Sequence, residues 1–130
     1  MLKALTLSIF FFLLFVVGAG NVSAQWENLG SKEVTDKAES DVFRLATEGQ
    51  FRSLRFQVTR RPVRFYKMEI TYGNGEKDEI QIRSLIRAGG SSRVIDLKGR
   101  DRYIRSVKFW YEAASLGRGR SATVTLFGRK

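Results

Sequence analysis

YKMEITYGNGEKDEIQI, residues 66–82, is the stretch that decides the fold. Apolar side chains occupy every second position from residue 66 to residue 72, and they return with the same period at Ile80 and Ile82. This period turns one face of a strand toward a core and the other toward water. Asn74-Gly75 accepts the positive φ angles of a tight turn. The stretch therefore predicts two antiparallel strands joined by a hairpin.

The same alternation recurs along the rest of the chain, with glycine-rich turns between the runs. The further strands are predicted near residues 26–34, 41–45, 54–58, 95–97, 103–111 and 122–126. About eight short strands predict an all-β fold, an antiparallel β-sandwich or jelly roll, with a closed small barrel as the alternative. The polar stretch 32–40 fits either an edge strand followed by a loop or a single helical turn.

One-sided strands also predict the core. On the strand at 103–111, Tyr103, Val107, Phe109 and Tyr111 share the core face, which turns Trp110 outward. The other predicted core residues are Phe43, Phe56, Tyr66, Ile70, Ile80, Ile82, Ile95, Val124 and Leu126. With no cysteine in the chain, stability must come from burial rather than from disulfides.

The N-terminus indicates export. Lys3 is followed by an apolar run, and Val22-Ser23-Ala24 provides the small side chains that a signal peptidase requires. Residues 1–24 are therefore predicted to be a signal peptide and 25–130 one β-sandwich domain, secreted or periplasmic and without a stable membrane anchor after cleavage. A retained anchor is the alternative, although the run is shorter than the roughly 20 residues that span a bilayer.

Several short motifs carry a resemblance. They are Gly30-Ser31, Asp41-Val42, Gly49-Gln50-Phe51-Arg52, Tyr72-Gly73-Asn74-Gly75, Arg87-Ala88-Gly89-Gly90 and Val94-Ile95-Asp96-Leu97-Lys98-Gly99. With these motifs the chain resembles an uncharacterised family of small secreted bacterial proteins of unknown function. The resemblance implies an exported all-β domain and brings no catalytic residues with it.

The absence of histidine and cysteine restricts the chemistry. It removes the usual base of a serine triad, a thiolate nucleophile and the common ligands of zinc or haem, so no cofactor, metal site or catalytic residue is predicted. Paired carboxylates remain, as in glycosidases. Asp78 and Glu79 are neighbours on one strand and point to opposite faces. Asp96 and Asp101 bracket a turn, where capping is the ordinary role and calcium binding the alternative.

Basic residues give the strongest hint of function. The chain has a net charge of +10, and removing the segment that contains Lys3 lowers it to +9. Arginines near two glycine-rich loops, at Arg87, Arg93, Arg118 and Arg120, are the candidate ligand-binding residues, because guanidinium groups hold carboxylates, phosphates or sulfates with paired hydrogen bonds. The alternative is that these arginines are scattered over solvent-facing positions.

Trp110 joins the candidates as an outward aromatic ring able to stack on sugars. The alternative is that a loop, or the N-terminal segment with Trp26, covers it. The sequence thus predicts a non-catalytic domain that binds an anionic or sugar-bearing envelope component, such as an anionic polymer. The alternative is a structural protein with an acidic protein partner, and third comes a carboxylate-dependent glycosidase. An exported protein would meet nucleic acid only outside the cell, and no oligomeric state is predicted.

Overall fold

Eight antiparallel strands form two sheets in the computed structural model, which describes residues 26–45 and 49–130. The predicted signal peptide, residues 1–24, lies outside the described residues. The strands are β1 (Trp26–Thr35), β2 (Ser40–Arg44), β3 (Ser53–Thr59), β4 (Val63–Tyr72), β5 (Lys77–Ile86), β6 (Ile95–Asp96), β7 (Ile104–Tyr111) and β8 (Ser121–Arg129). A short 3-10 helix, Ala113–Leu116, precedes β8. No helix in these described ranges is long and apolar enough to cross a membrane.

The connectivity is that of a jelly roll. One sheet has the order β1-β8-β3-β6 and the other β2-β7-β4-β5. The antiparallel pairs β4·β5, β3·β6, β2·β7 and β1·β8 describe a single long hairpin that is rolled up so that its arms alternate between the two sheets. This confirms the predicted sandwich or jelly roll of eight strands. The two separate sheets do not form the single closed barrel that was the alternative.

The hairpin predicted at Asn74-Gly75 is the tip of this rolled structure. Tyr72 donates its amide to the Glu76 carbonyl at 2.8 Å, and Gly75 has a φ of 93°. The Asn74 side-chain oxygen accepts the Glu76 amide at 3.0 Å. A residue with a side chain is strained at this φ, so glycine is required at the turn.

Phenylalanines from both sheets form the centre of the core. Phe56 on β3 stacks on Phe65 of β4 with ring centroids 5.1 Å apart, and both lie against Phe109 of β7. Phe43 on β2 stacks on Phe109 at 5.3 Å. Because the four rings are almost completely buried, they hold the two sheets together by apolar burial and close packing.

Two tyrosines that the alternation placed in the core are exposed, so that prediction is wrong for them. Tyr66 is 43% exposed and Tyr103 56%. Opposite β7, strand β4 contains one extra residue, Tyr66, which lies outside the core. The register of β7 shifts between Ser106 and Ile104, so Ile104 is buried in place of Tyr103. Each irregularity reverses the alternation beyond it. Ile80 is only partly buried.

The polar stretch 32–40 follows the first of its two alternatives. β1 continues to Thr35, and a loop connects it to β2 at Ser40. Thr35 pairs with Ser121 at the beginning of β8, so this loop lies at the same end of the sandwich as the loop before β8. The loop is therefore placed beside several of the candidate arginines.

Candidate anion-binding site

The strand register gathers a set of basic loops at one end of the sandwich. β1 and β3 end where β8 begins, since Thr35 pairs with Ser121 and Thr59 with Thr123. Val63 at the start of β4 pairs with Ile86 at the end of β5. We call the loops at 36–39, 60–62 and 112–120 and the start of the loop at 87–94 the arginine end. The loops at 49–52, 73–76 and 97–103 form the opposite turn end.

A cavity of about 300 Å³ at the arginine end is lined by Arg60, Arg61, Gly119, Arg120 and Ser121. Arg60 is already bonded within the protein, to Glu33 Oε2 at 3.1 Å and to Ser121 Oγ at 2.9 Å. Arg61 donates Nε to the Leu116 carbonyl at 2.9 Å, which fixes its guanidinium while its terminal nitrogens are not engaged by that bond. Among the described residues, Arg120 has neither an ion pair nor a hydrogen bond from its side chain.

These contacts give the cavity a positive character. No carboxylate of a described residue is in its lining. Glu33 is bonded to Arg60 and Asp36 to the amide of Gly119, so Arg61 and Arg120 have no ion pair among these residues. Two further guanidinium groups therefore remain to face an incoming anion with paired N–H donors. The geometry suits a carboxylate, phosphate or sulfate group.

Arg118 lies beside this cavity rather than in it. It lines a second cavity of about 550 Å³ with Lys37 and the acidic residues Asp36 and Glu39. The amide of Gly119, a candidate anion donor of the glycine-rich loop, is bonded to Asp36 Oδ2 at 2.9 Å. An internal carboxylate thus already occupies this backbone donor, so an external anion must bind through side chains.

Arg93 has a structural contact that the sequence did not indicate. Its guanidinium donates to the backbone carbonyls of Gln81 at 2.7 Å and Ile82 at 3.3 Å, at the free edge of β5. These bonds satisfy backbone acceptors that an unpaired strand edge would leave open. Arg87 is exposed at the start of the same loop. The four candidate arginines therefore divide into Arg118 and Arg120 near one cavity, Arg87 at the same end, and Arg93 along the edge.

Trp110 lies on the outer face of the sheet that contains β2 and β7, near the arginine end but not in the lining of the arginine cavity. The ring is half-buried, with Lys67 Nζ 4.6 Å and Lys108 Nζ 4.8 Å from its centroid. Trp26 is placed similarly on the other sheet, between Arg55 and Arg129. Trp26 therefore does not cover Trp110, and the two lysine ammonium groups lie close to the Trp110 ring.

The acidic side chains that the structure describes are bonded mainly to cations and other polar groups, but Glu69 and Glu79 lie opposite each other across β4 and β5. Glu79 pairs with Lys67 at 3.3 Å, and Asp101 with Arg52 at 3.5 Å. Asp96 accepts a hydrogen bond from Ser53 at 2.8 Å. Within residues 26–45 and 49–130, no three potential metal ligands form a group that could hold a metal ion.

Arg60 and Arg61 immediately precede Pro62 and line the cavity with Arg120, although they are not among the four candidate ligand-binding arginines. They meet Arg120 because β3 pairs with β8, a contact between segments about 60 residues apart. That pairing joins basic loops that the sequence keeps far apart.

Comparison with known proteins gives a family but no function. A protein-family model described as "Domain of unknown function (DUF2541)" matches residues 6–128. This match confirms the predicted resemblance to an uncharacterised family. Comparison with curated proteins found no match.

Two solved structures are distantly similar. A chain from the structural and functional characterization of Pseudomonas aeruginosa AlgX has a TM-score of 0.48 and 15% identity, over 80% of this chain and 27% of that one. This chain thus spans about a quarter of the AlgX chain. The Drosophila NLP core, whose structure concerns pentamer formation and histone binding, has a TM-score of 0.35 and 15% identity, over 79% of this chain and 97% of that one. Neither likeness is close enough to support an argument about function.

Proposed function

We propose that the chain, which belongs to the DUF2541 family, is an exported, non-catalytic domain that binds an anionic or sugar-bearing component of the cell envelope. The observation that carries the proposal is the cavity at the arginine end, where Arg61 and Arg120 line a space to which no described residue contributes a carboxylate. Guanidinium groups that lack internal anionic partners favour an external one. The ligand group is then a sulfate, phosphate or carboxylate of an acidic polymer.

Two further features support the proposal. The sequence of residues 1–24 supports export to a compartment where such polymers occur. The carboxylates support a non-catalytic role, because Asp101 and Asp96 are engaged by other side chains. Glu69 and Glu79 lie opposite each other on β4 and β5, but each is paired with a lysine, Lys77 and Lys67. A histidine-free glycosidase would need two acids free to reach the substrate.

Heparin, a sulfated polysaccharide, is a suitable probe, and its affinity is measured at fixed ionic strength on protein recovered from exporting cells. Intact mass of the same sample shows whether residues 1–24 have been removed. Arg61→Ala and Arg120→Ala should each weaken binding about tenfold, because each removes a charge-assisted contact. Affinity should also fall as salt rises, since bound counterions are released.

Arg44→Ala is the matched control, because Arg44 is an exposed arginine at the far end of β2. It should leave heparin affinity almost unchanged. Equal, small losses for all three variants would leave only a diffuse basic surface and would contradict the site. Tighter binding of poly-glutamate than of heparin would favour an acidic protein partner instead.

A further inference from the structure

The turn end contains a second cavity, of about 250 Å³, that is separate from the arginine cavity. Its walls come from three loops and include Gln50, Gly73, Asn74, Asp101, Arg102 and Tyr103, with Tyr72 also in the lining. Tyr103 is 56% exposed, the most exposed of the large hydrophobic side chains in the described ranges. An exposed aromatic ring thus stands beside a small cavity with polar side chains in its lining, an arrangement that occurs in sites for small molecules.

The backbone holds Tyr103 firmly in this position. Gly73 donates its amide to the Tyr103 carbonyl at 2.8 Å, and Phe51 and Arg102 exchange backbone hydrogen bonds at 2.9 and 2.8 Å. A Cβ on Gly73 would lie 3.1 Å from the Tyr103 Cβ, so glycine permits the close approach. The backbone at residue 103 is therefore fixed before any ligand arrives, so binding has to order only the side chain.

The charges of this cavity are balanced within the protein. The Arg102 guanidinium bonds to the Glu76 carboxylate and to the Lys98 carbonyl, and it lies 3.8 Å above the Tyr72 ring. Asp101 pairs with Arg52 at 3.5 Å. A phosphate or sulfate would thus meet an occupied guanidinium and a carboxylate, so the cavity disfavours an anion.

We infer that this cavity binds a neutral sugar unit, with its C–H face against Tyr103 and its hydroxyl groups toward the polar lining. The side-chain amide of Gln50 supplies a donor and an acceptor for hydroxyl groups, and the Asp101 carboxylate, although paired with Arg52, retains further acceptor positions. The volume favours one terminal or branching sugar over a longer segment lying in the cavity. The inference goes beyond the anion site and does not depend on it.

Saturation-transfer NMR with four methyl glycosides, those of glucose, galactose, mannose and N-acetylglucosamine, tests the inference on the full chain as recovered from cells. At least one glycoside should bind. Tyr103→Ala should weaken it about tenfold, because the stacking surface is lost, whereas Tyr103→Phe should retain most of the affinity. Gly73→Ala should also weaken binding, because it displaces the ring without removing it.

Tyr66→Ala is the matched control, since Tyr66 is a second exposed tyrosine and does not line this cavity. It should not change glycoside binding, and neither should Arg120→Ala, so failure of the anion site remains distinguishable. If Tyr103→Ala fails to fold, Gln50→Ala should still weaken binding. The inference is overturned if none of the glycosides binds, if the two tyrosine-to-alanine variants behave alike, or if a short oligothymidylate displaces the glycoside from the cavity.

Discussion

The turn end and the arginine end are built from the same residue types and use them differently. At the turn end, Arg102 is bonded to Glu76 and the Lys98 carbonyl, and Arg105 donates to the Gly73 carbonyl at 3.0 Å. At the arginine end, Arg120 lines a cavity to which no described residue contributes a carboxylate. An arginine of this protein therefore stabilises the fold or remains available to a ligand according to the loop that faces it, which neither net charge nor local sequence reveals.

The largest expected effect concerns the core that joins the two ends. Phe109→Ala removes a fully buried ring that stacks on Phe43 and packs at a tilt against Phe56, and should lower the free energy of unfolding by about 3–5 kcal/mol. Urea unfolding followed by circular dichroism measures the loss. Both ends should unfold in one transition, and separate transitions would mean that they are independent rather than two ends of one domain.

A direct comparison of arginines should show the difference between the ends. Arg102→Ala removes a mostly buried guanidinium, 17% exposed, with its bonds and its stacking on Tyr72, and should lower the free energy of unfolding by about 2 kcal/mol. Arg120→Ala should change it by no more than about 0.5 kcal/mol, because its side chain is exposed. Thermal unfolding of both variants is the measurement. Equal losses of unfolding free energy in the two variants would show that Arg120 is bonded within the fold as firmly as Arg102.

The smallest expected effect is a pH dependence that arises at the turn end. Hydrogen bonds from Asn74 and then from Arg102 hold the pKa of Glu76 below its ordinary value of 4.5. Because the unfolded chain binds this proton more readily, the contact stabilises the fold above about pH 4.5 and loses its effect as pH falls through the lowered folded-state pKa.

Glu76→Gln should therefore flatten this part of the stability profile, and Asn74→Ala should reduce it. Unfolding free energies between about pH 3 and pH 7 measure the slope, a window chosen to bracket the titration of carboxylates. If the slope is the same in Glu76→Gln as in the unchanged protein, Glu76 does not cause the pH dependence of stability.

The alternation of apolar and polar residues predicted most of the fold, because it shows directly which face of a strand is buried. Phe43, Phe56 and Phe109 are in the core as predicted, and the hairpin at Asn74-Gly75 joins the expected strands. The errors at Tyr66 and Tyr103 have one cause, since a single extra residue in a strand reverses the faces beyond it and leaves no local mark in the sequence.

The candidate sites depended on contacts between distant segments, so the sequence predicted them only in part. Arg118 and Arg120 were singled out and lie at the arginine end, but Arg93 is bonded to the edge of β5. Arg61 entered the site only through the pairing of β3 with β8. Tyr103 came to the surface through the irregularity in β7.

By itself the sequence determined the class of the protein: an all-β domain of eight alternating strands, basic and without histidine or cysteine. These properties follow from local periodicity and composition, which need no knowledge of partners. Only the tertiary structure decided which arginines are bonded and which are available. That outcome depends on the order β1-β8-β3-β6 and β2-β7-β4-β5, which brings together loops that are far apart in the chain.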